Sequence, residues 1–262
     1  MQTGVTKSAM PRYRLTLEYD GRPYVGWQRQ SNGPSVQQAL EEAVTRLTGE
    51  TVVLTAAGRT DAGVHATGQV CHLEIDKELA PGRLRDGLNA HLREEAVVVL
   101  AAHRAAADFH ARFSATGRGY LYRILNRRAY PALDRGRVWW YPRPLDAEAM
   151  HAAARLLLGT HDFSSFRASE CQAASPVKTL DRLDVSRVGD EVQMIVEARS
   201  FLHHQVRNFA GSLALVGLGR WTQEDLRRVL AARDRRAGGP TAPPEGLYLT
   251  RVDYPVEVSE GD

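Results

Sequence analysis

Residues 12–20, RYRLTLEYD, place Tyr13, Leu15, Leu17 and Tyr19 at every second position with polar residues between them. That is the pattern of a strand with one face against a core. Working outward, residues 21–34 are rich in Gly, Pro, Gln and Asn and read as a loop carrying Trp27. Ser35 then stands as an N-cap, with Val36, Leu40, Ala43, Val44 and Leu47 at helical spacing and Gly49 as the stop. Residues 51–57 and 67–75 read as strands, 81–92 as a helix opened by proline, and 95–103 as a fourth strand. The order strand, helix, strand, strand, helix, strand over residues 12–104 is the split βαβ, ferredoxin-like arrangement.

The second half repeats the ingredients. Residues 116–127 alternate as a strand, 146–158 form an Ala-rich helix, and 177–188 with 191–200 make a hairpin turning at Gly189-Asp190. Helices over 202–218 and 222–232 follow, then a last strand near 247–254, after a loop at 235–246 (RRAGGPTAPPEG) long enough to be functional. The expected fold class is α+β: two ferredoxin-like halves joined edge to edge into one continuous antiparallel sheet with a central basic cleft, where ligands usually bind. The expected divisions are a flexible N-terminus at 1–11, an N-terminal α+β domain at 12–107, a C-terminal α+β domain at 108–256 and a tail at 257–262.

Composition excludes several classes. The 262 residues are 43% hydrophobic and 25% charged, which is ordinary for a globular chain and argues against disorder. No run approaches the roughly 18 apolar residues of a membrane span. The first twelve residues carry no apolar signal segment, so a cytoplasmic protein is expected. Cys71 and Cys171 form no CxxC pair or disulfide framework. The net charge is only +3, yet 31 of the 34 cations are Arg and they cluster. Residues 112–143 hold eight Arg against Asp134 alone; residues 199–236 hold eight against three carboxylates, with His203 and His204 alongside. Guanidinium groups grip phosphate and stack on bases, so Arg interleaved with Tyr and Phe predicts an RNA-facing surface.

The most distinctive string is AAGRTDAGVHA at 56–66. Dense in Gly and Ala, it lets backbone approach a ligand while presenting Arg59, Thr60, Asp61 and His65. It has neither a dinucleotide fingerprint nor a phosphate loop. Composition alone leaves open a tight turn in which Asp61 makes an Asx-type bond and Arg59 a surface ion pair.

GRTDAGVHA, FHARFSA at 109–115, the tyrosines of YLYR at 120–123, FLHHQVRNFAGSL at 201–213 and GLYLTRVDYP at 246–255 together resemble the tRNA pseudouridine synthase A family. The blocks occur in the family's order. The resemblance implies an isomerase that converts uridine to pseudouridine at positions 38, 39 and 40 of the tRNA anticodon stem-loop, as a homodimer, without metal or organic cofactor. It makes Asp61 the catalytic carboxylate, with Arg207 as its cationic partner, Arg59 on the flipped nucleotide or its phosphate, Tyr120 stacked on the target base and Leu247 in backbone and apolar contact with it. Arg112, Arg118, Arg123, His203 and His204 are the expected RNA contacts. The pattern departs from the family at Gln205, where Met is usual, and at Gly117 and Gly119.

The chemistry agrees with that carry-over. Moving a uracil from N1 to C5 needs a group that attacks or shields a carbon or removes a proton, which one ionised carboxylate can do, and a carboxylate beneath a base needs a cation to stay ionised. A target within a stem must be extruded, at a cost of about a few kcal/mol that phosphate contacts offset. A metal site is not expected, for the pairs Cys71-His72 and His203-His204 match no HExxH or CxxC spacing. The alternatives are a non-catalytic RNA-binding protein, in which a carboxylate inside the phosphate-facing surface would only repel the ligand, and a synthase acting on another RNA.

Overall fold

A computed structural model describes residues 10–171 and 173–255; the expected tail and most of the expected flexible N-terminus lie outside them. In β1 (Arg12–Tyr19), Tyr13, Leu15 and Leu17 are fully buried. α1 (Val36–Thr48) begins at Ser35, whose hydroxyl accepts from the Gln38 N–H, and ends at Gly49, whose φ of 83° lets its N–H turn back to Thr45. β2 (Thr55–Ala56) is far shorter than the strand expected over 51–57. The reason is local: the Leu54 N–H donates to the Glu41 carboxylate and its carbonyl accepts from the Gln37 amide, so side chains of α1 take the hydrogen bonds a strand neighbour would. β3 (His65–Glu74), α2 (Pro81–His91) and β4 (Val97–Ala105) complete the first half.

The second half runs β5 (Gly117–Leu125), β6 (Trp139–Trp140), α3 (Ala147–Ala154), β7 (Gly159–Asp162), β8 (Val177–Val188), β9 (Glu191–Ala198), α4 (Gln205–Gly217), α5 (Gln223–Ala232) and β10 (Leu247–Asp253). The helix expected over 146–158 tightens into a 3-10 turn after Ala154. β6 and β7 carry too few residues to show a period. α4 starts three residues later than expected because His204, at φ 62°, turns the chain into it.

The protein is α+β, and its strands make one sheet in the order β4-β1-β3-β10-β5-β9-β8-β7, with β2 added to β3 and β6 to β5. The sheet is continuous, but it is not wholly antiparallel as expected. β10 runs parallel to β3 through Tyr248–His65 and Leu249–Ala66, and β6 runs parallel to β5. The last strand thus returns between the halves and joins them. Gly68 permits this seam, since a Cβ there would meet the Thr250 carbonyl oxygen at 2.2 Å.

Two apolar cores lie side by side. In the first, Leu40, Val44, Leu84 and Leu88 of α1 and α2 pack with the apolar side chains of β1 and β3. In the second, Met150, Phe209 and Leu213 of α3 and α4 pack with Tyr122, Ile124, Met194 and Val196 of β5 and β9. Tyr120 touches both cores. A third, small cluster gathers Phe109 and Ala111 with Ala57 and Val70. Among the described residues no helix is long and apolar enough to cross a membrane.

Candidate active site

Asp61 sits in the turn that leads into β3, and that turn is held from below. Gly26, at φ 114°, bridges to Asp61, and the Trp27 N–H donates to the Thr60 carbonyl at 3.0 Å. A Cβ on Gly26 would meet that carbonyl oxygen at 2.7 Å, so the close approach requires glycine. The Thr60 hydroxyl pairs with the buried Tyr19 hydroxyl at 2.8 Å, and the Gln69 amide donates to the Gly58 carbonyl at 2.8 Å. Residues on either side of Asp61 are therefore fixed to β1 and β3 while its carboxylate faces the second half.

Three side chains from the entry of α4 meet that carboxylate. Arg207 donates from one guanidinium nitrogen to Oδ2 at 3.1 Å, His204 Nε2 lies 3.1 Å from the same oxygen, and His203 Nε2 lies 3.1 Å from Oδ1. Adjacent residues on a strand would point apart. Here His204 is in the left-handed region, so the two imidazoles turn to one side with ring centres 4.0 Å apart. Arg207 is itself fixed, its Nε donating to the Ala242 carbonyl at 2.8 Å while the Ala242 N–H donates to the Arg207 carbonyl. The loop expected over 235–246 is thus part of the site's wall.

Burial alone would push the Asp61 carboxyl up. The His204 hydrogen bond, with the charges of His204, His203 and Arg207, outweighs that and holds its pKa at about 2. The carboxylate is 27% exposed, enough to be reached. Asp61, His203 and His204 also form a set whose ligand atoms lie within 4.8 Å of one another, a grouping able to hold a cation. The Arg207 guanidinium on the same oxygen opposes a second positive charge there.

Tyr120 shares a face of β5 with Tyr122, which is buried in the core that α4 helps to build. Its ring meets Phe201 edge to face at 5.1 Å, and among the described residues its hydroxyl makes no hydrogen bond. Burial pushes that hydroxyl up to about 12, a rise that Arg118 opposes and Asp61 reinforces. Leu247 is buried at the start of β10, in register with Tyr122. Arg59 is exposed and has no carboxylate partner among the described residues.

The expected RNA contacts divide. Arg112 is exposed, its guanidinium 5.7 Å from the ring centre of the equally exposed Phe113. Arg118 instead donates to the carbonyls of Ala57, Arg112 and Arg199, tying the Asp61 segment to the 109–115 turn. Arg123 lies between Glu191 and Asp134. Sequence reasoning singled out neither Phe113 nor Phe201, although both stand in quoted motifs, nor the Ala242 carbonyl, which lies in the loop expected over 235–246.

An ionised, reachable carboxylate flanked by donors and faced by an aromatic hydroxyl suits nucleophilic or proton-transfer chemistry. Residues 16–114 and 153–255 match the family model described as tRNA pseudouridine synthase. The tRNA pseudouridine synthase A of Paramagnetospirillum magneticum is 62% identical over 245 residues, covering 94% of this chain and 96% of that protein. The protein of the same name from Rhodospirillum centenum is 62% identical over 245 residues, covering 94% and 100%. That from Brucella ovis is 61% identical over 247 residues, covering 94% and 98%.

Proposed function

The chain belongs to the tRNA pseudouridine synthase family, and from that premise we propose that it isomerises uridine at positions 38, 39 and 40 of the anticodon stem-loop with Asp61 as its catalytic carboxylate. The activity is that of an isomerase, a uridine-to-pseudouridine conversion in tRNA. The C1′–N1 bond breaks, a C1′–C5 bond forms, the proton on C5 leaves and N1 gains one, so atoms balance without a co-reactant. The observation that carries the assignment is the convergence of Arg207, His203 and His204 on one reachable carboxylate from the opposite half of the sheet.

In this reading Tyr120 stacks on the extruded uracil, and Leu247 supplies backbone and apolar contact beside it. Arg59, Arg112, His203 and His204 meet RNA phosphates or the flipped nucleotide. The bonds of Arg118 and Arg123 to the protein itself favour a positioning role for those two. The strand order β4-β1-β3 with β2 beyond β3 supports a ferredoxin-like N-terminal half at 12–107, paired with a C-terminal half at 108–256 across a basic cleft. We further propose a cytoplasmic homodimer.

Asp61→Ala should abolish pseudouridine in an anticodon stem-loop while leaving tRNA affinity within about a few-fold, because the carboxylate is used by the chemistry and not by phosphate binding. Mass-spectrometric mapping of tRNA treated with each protein decides it. Product at near wild-type rate from the variant removes Asp61, and wild-type product confined to sites outside 38–40 removes the assigned positions.

A further inference from the structure

Behind the segment that carries residues 164–169, an open cavity of about 430 Å³ is lined by Ser164, Arg167, Ala168, Arg233, Asp234 and Arg235. Three arginines face two carboxylates here, and Asp162, the one beside Arg233 and Arg167, is held below its ordinary range partly by their charges. Among the described residues Arg167 and Arg235 have no carboxylate within ion-pair distance. Arg235 donates only to neutral acceptors, Asn208 Oδ1 at 3.2 Å and Thr241 Oγ1 at 3.0 Å, which fix its plane. Arg233 lies a loose 3.8 Å from Asp162 and is 70% exposed. Asp234, the carboxylate in the lining, has both oxygens taken by Arg236.

The backbone marks this cavity as well. Arg233 ends α5 at φ 50°, in the left-handed region. Helices usually place Gly or Asn there, since a long side chain adds strain. The strain persists at a residue that lines the cavity. The cavity also shares walls with the Asp61 centre: the Ala168 N–H donates to the His203 carbonyl at 2.9 Å, and Asn208, which holds Arg235, follows Arg207 on α4 and donates to the Phe166 carbonyl at 2.8 Å.

We propose that this cavity is a subsite for a backbone phosphate of the substrate RNA, taken from within the anticodon stem-loop. The inference rests on the reading of the protein as a tRNA-modifying enzyme. Arg233 and Arg167 clamp the phosphodiester, Arg235 forms the fixed floor, and the shared hydrogen bonds set that phosphate one layer of side chains from the carboxylate. Guanidinium forks suit this ligand because they bond two phosphate oxygens at once.

Two variants remove charge with little cost to the fold: Arg167→Gln, and Arg233→Asn, since Asn accepts the left-handed conformation. Binding of full-length tRNA and of the isolated anticodon stem-loop should be measured by filter retention across a KCl series, with thermal unfolding in parallel. Each variant should weaken both RNAs by about 5-fold or more, and the double variant should flatten the salt dependence by about 0.7–0.9 in log–log slope, as loss of one phosphate contact requires. Arg167→Lys should keep the slope. The thermal midpoint of Arg233→Asn should hold or rise, which a purely structural arginine would not allow. Wild-type affinity and slope in the double variant would overturn the subsite, as would a loss confined to full-length tRNA. Failure of the functional reading looks different: wild-type product would map outside 38–40 while the binding contrast between variants and wild type persisted.

Discussion

At the scale of the residue, the ionisation of Asp61 is coupled to folding. Its folded pKa of about 2 lies below the ordinary 3.8, so the native state binds the carboxylate form more favourably than the unfolded chain does. That stabilisation is complete above pH about 4 and is lost as pH falls through about 2, and the shift is worth about 2 kcal/mol. Asp20 moves the same way. Burial would raise it, but hydrogen bonds from Arg22, the charge of His65 and a hydrogen bond from Arg137 bring it to about 2. Asp61→Asn leaves Asp20 in place, so the Asp20 contribution cancels when the two proteins are compared. Urea unfolding between pH 4 and pH 2 should therefore show a shallower loss of stability in Asp61→Asn than in wild type, by about 2 kcal/mol across the window. Parallel curves would mean that Arg207 and the two histidines do not hold the carboxylate ionised.

At the scale of the element, α4 does two jobs that set the sign of one substitution. Gly211 lies in its middle, where Ala would ordinarily gain about 1 kcal/mol of helix propensity. A Cβ at 211, however, would stand 1.8 Å from the Pro240 carbonyl oxygen. The 240–242 segment would have to move, and with it the Ala242 carbonyl that orients Arg207. Gly211→Ala should therefore destabilise by about 1–3 kcal/mol, as overpacking does, and lower the isomerisation rate as well. A raised thermal midpoint would refute the contact. The same element shows where sequence reading ends. The apolar spacing of residues 206–216 reveals a buried helix, and the motif points to Arg207. Neither reveals that His204 turns the chain so that His203 and His204 share a target, because a left-handed residue that is not glycine leaves no mark in periodicity. Likewise the alternation in β10 marks a strand without saying that it runs parallel to β3, since period two is the same in both directions. The 51–54 segment misleads for the opposite reason: its residues suit a strand, but Gln37 and Glu41 take the Leu54 backbone.

At the scale of the whole molecule, the question is how a chain with a net charge of only +3 holds a polyanion. Clustering of Arg along the sequence is half of the answer, and the partners those arginines take in the fold are the other half. An arginine whose charge is matched by carboxylates contributes little to phosphate binding, whatever cluster it belongs to. Arg123 sits between Glu191 and Asp134 with 22% of its side chain exposed, whereas Arg59 and Arg112 are exposed and have no carboxylate partner among the described residues. On the proposed reading the grip on RNA comes from unmatched guanidinium groups around the Asp61 centre, while the matched ones brace the sheet. Two consequences separate these roles. With about four phosphate contacts, tRNA affinity of the wild type should fall about 100-fold between 50 and 200 mM salt. Arg59→Ala and Arg112→Ala should each reduce the log–log slope by about 0.7–0.9 with little change in the thermal midpoint, since each removes one released counterion and no ion pair, and the Arg112 contact with the Phe113 ring is exposed. Arg123→Ala should leave the slope at its wild-type value at a temperature where the variant is folded, and lower stability by about 1–3 kcal/mol by leaving Glu191 without its guanidinium partner. A shallower slope in Arg123→Ala at unchanged stability would return that residue to the RNA surface, and with it the view that clustering in the sequence suffices to locate the grip.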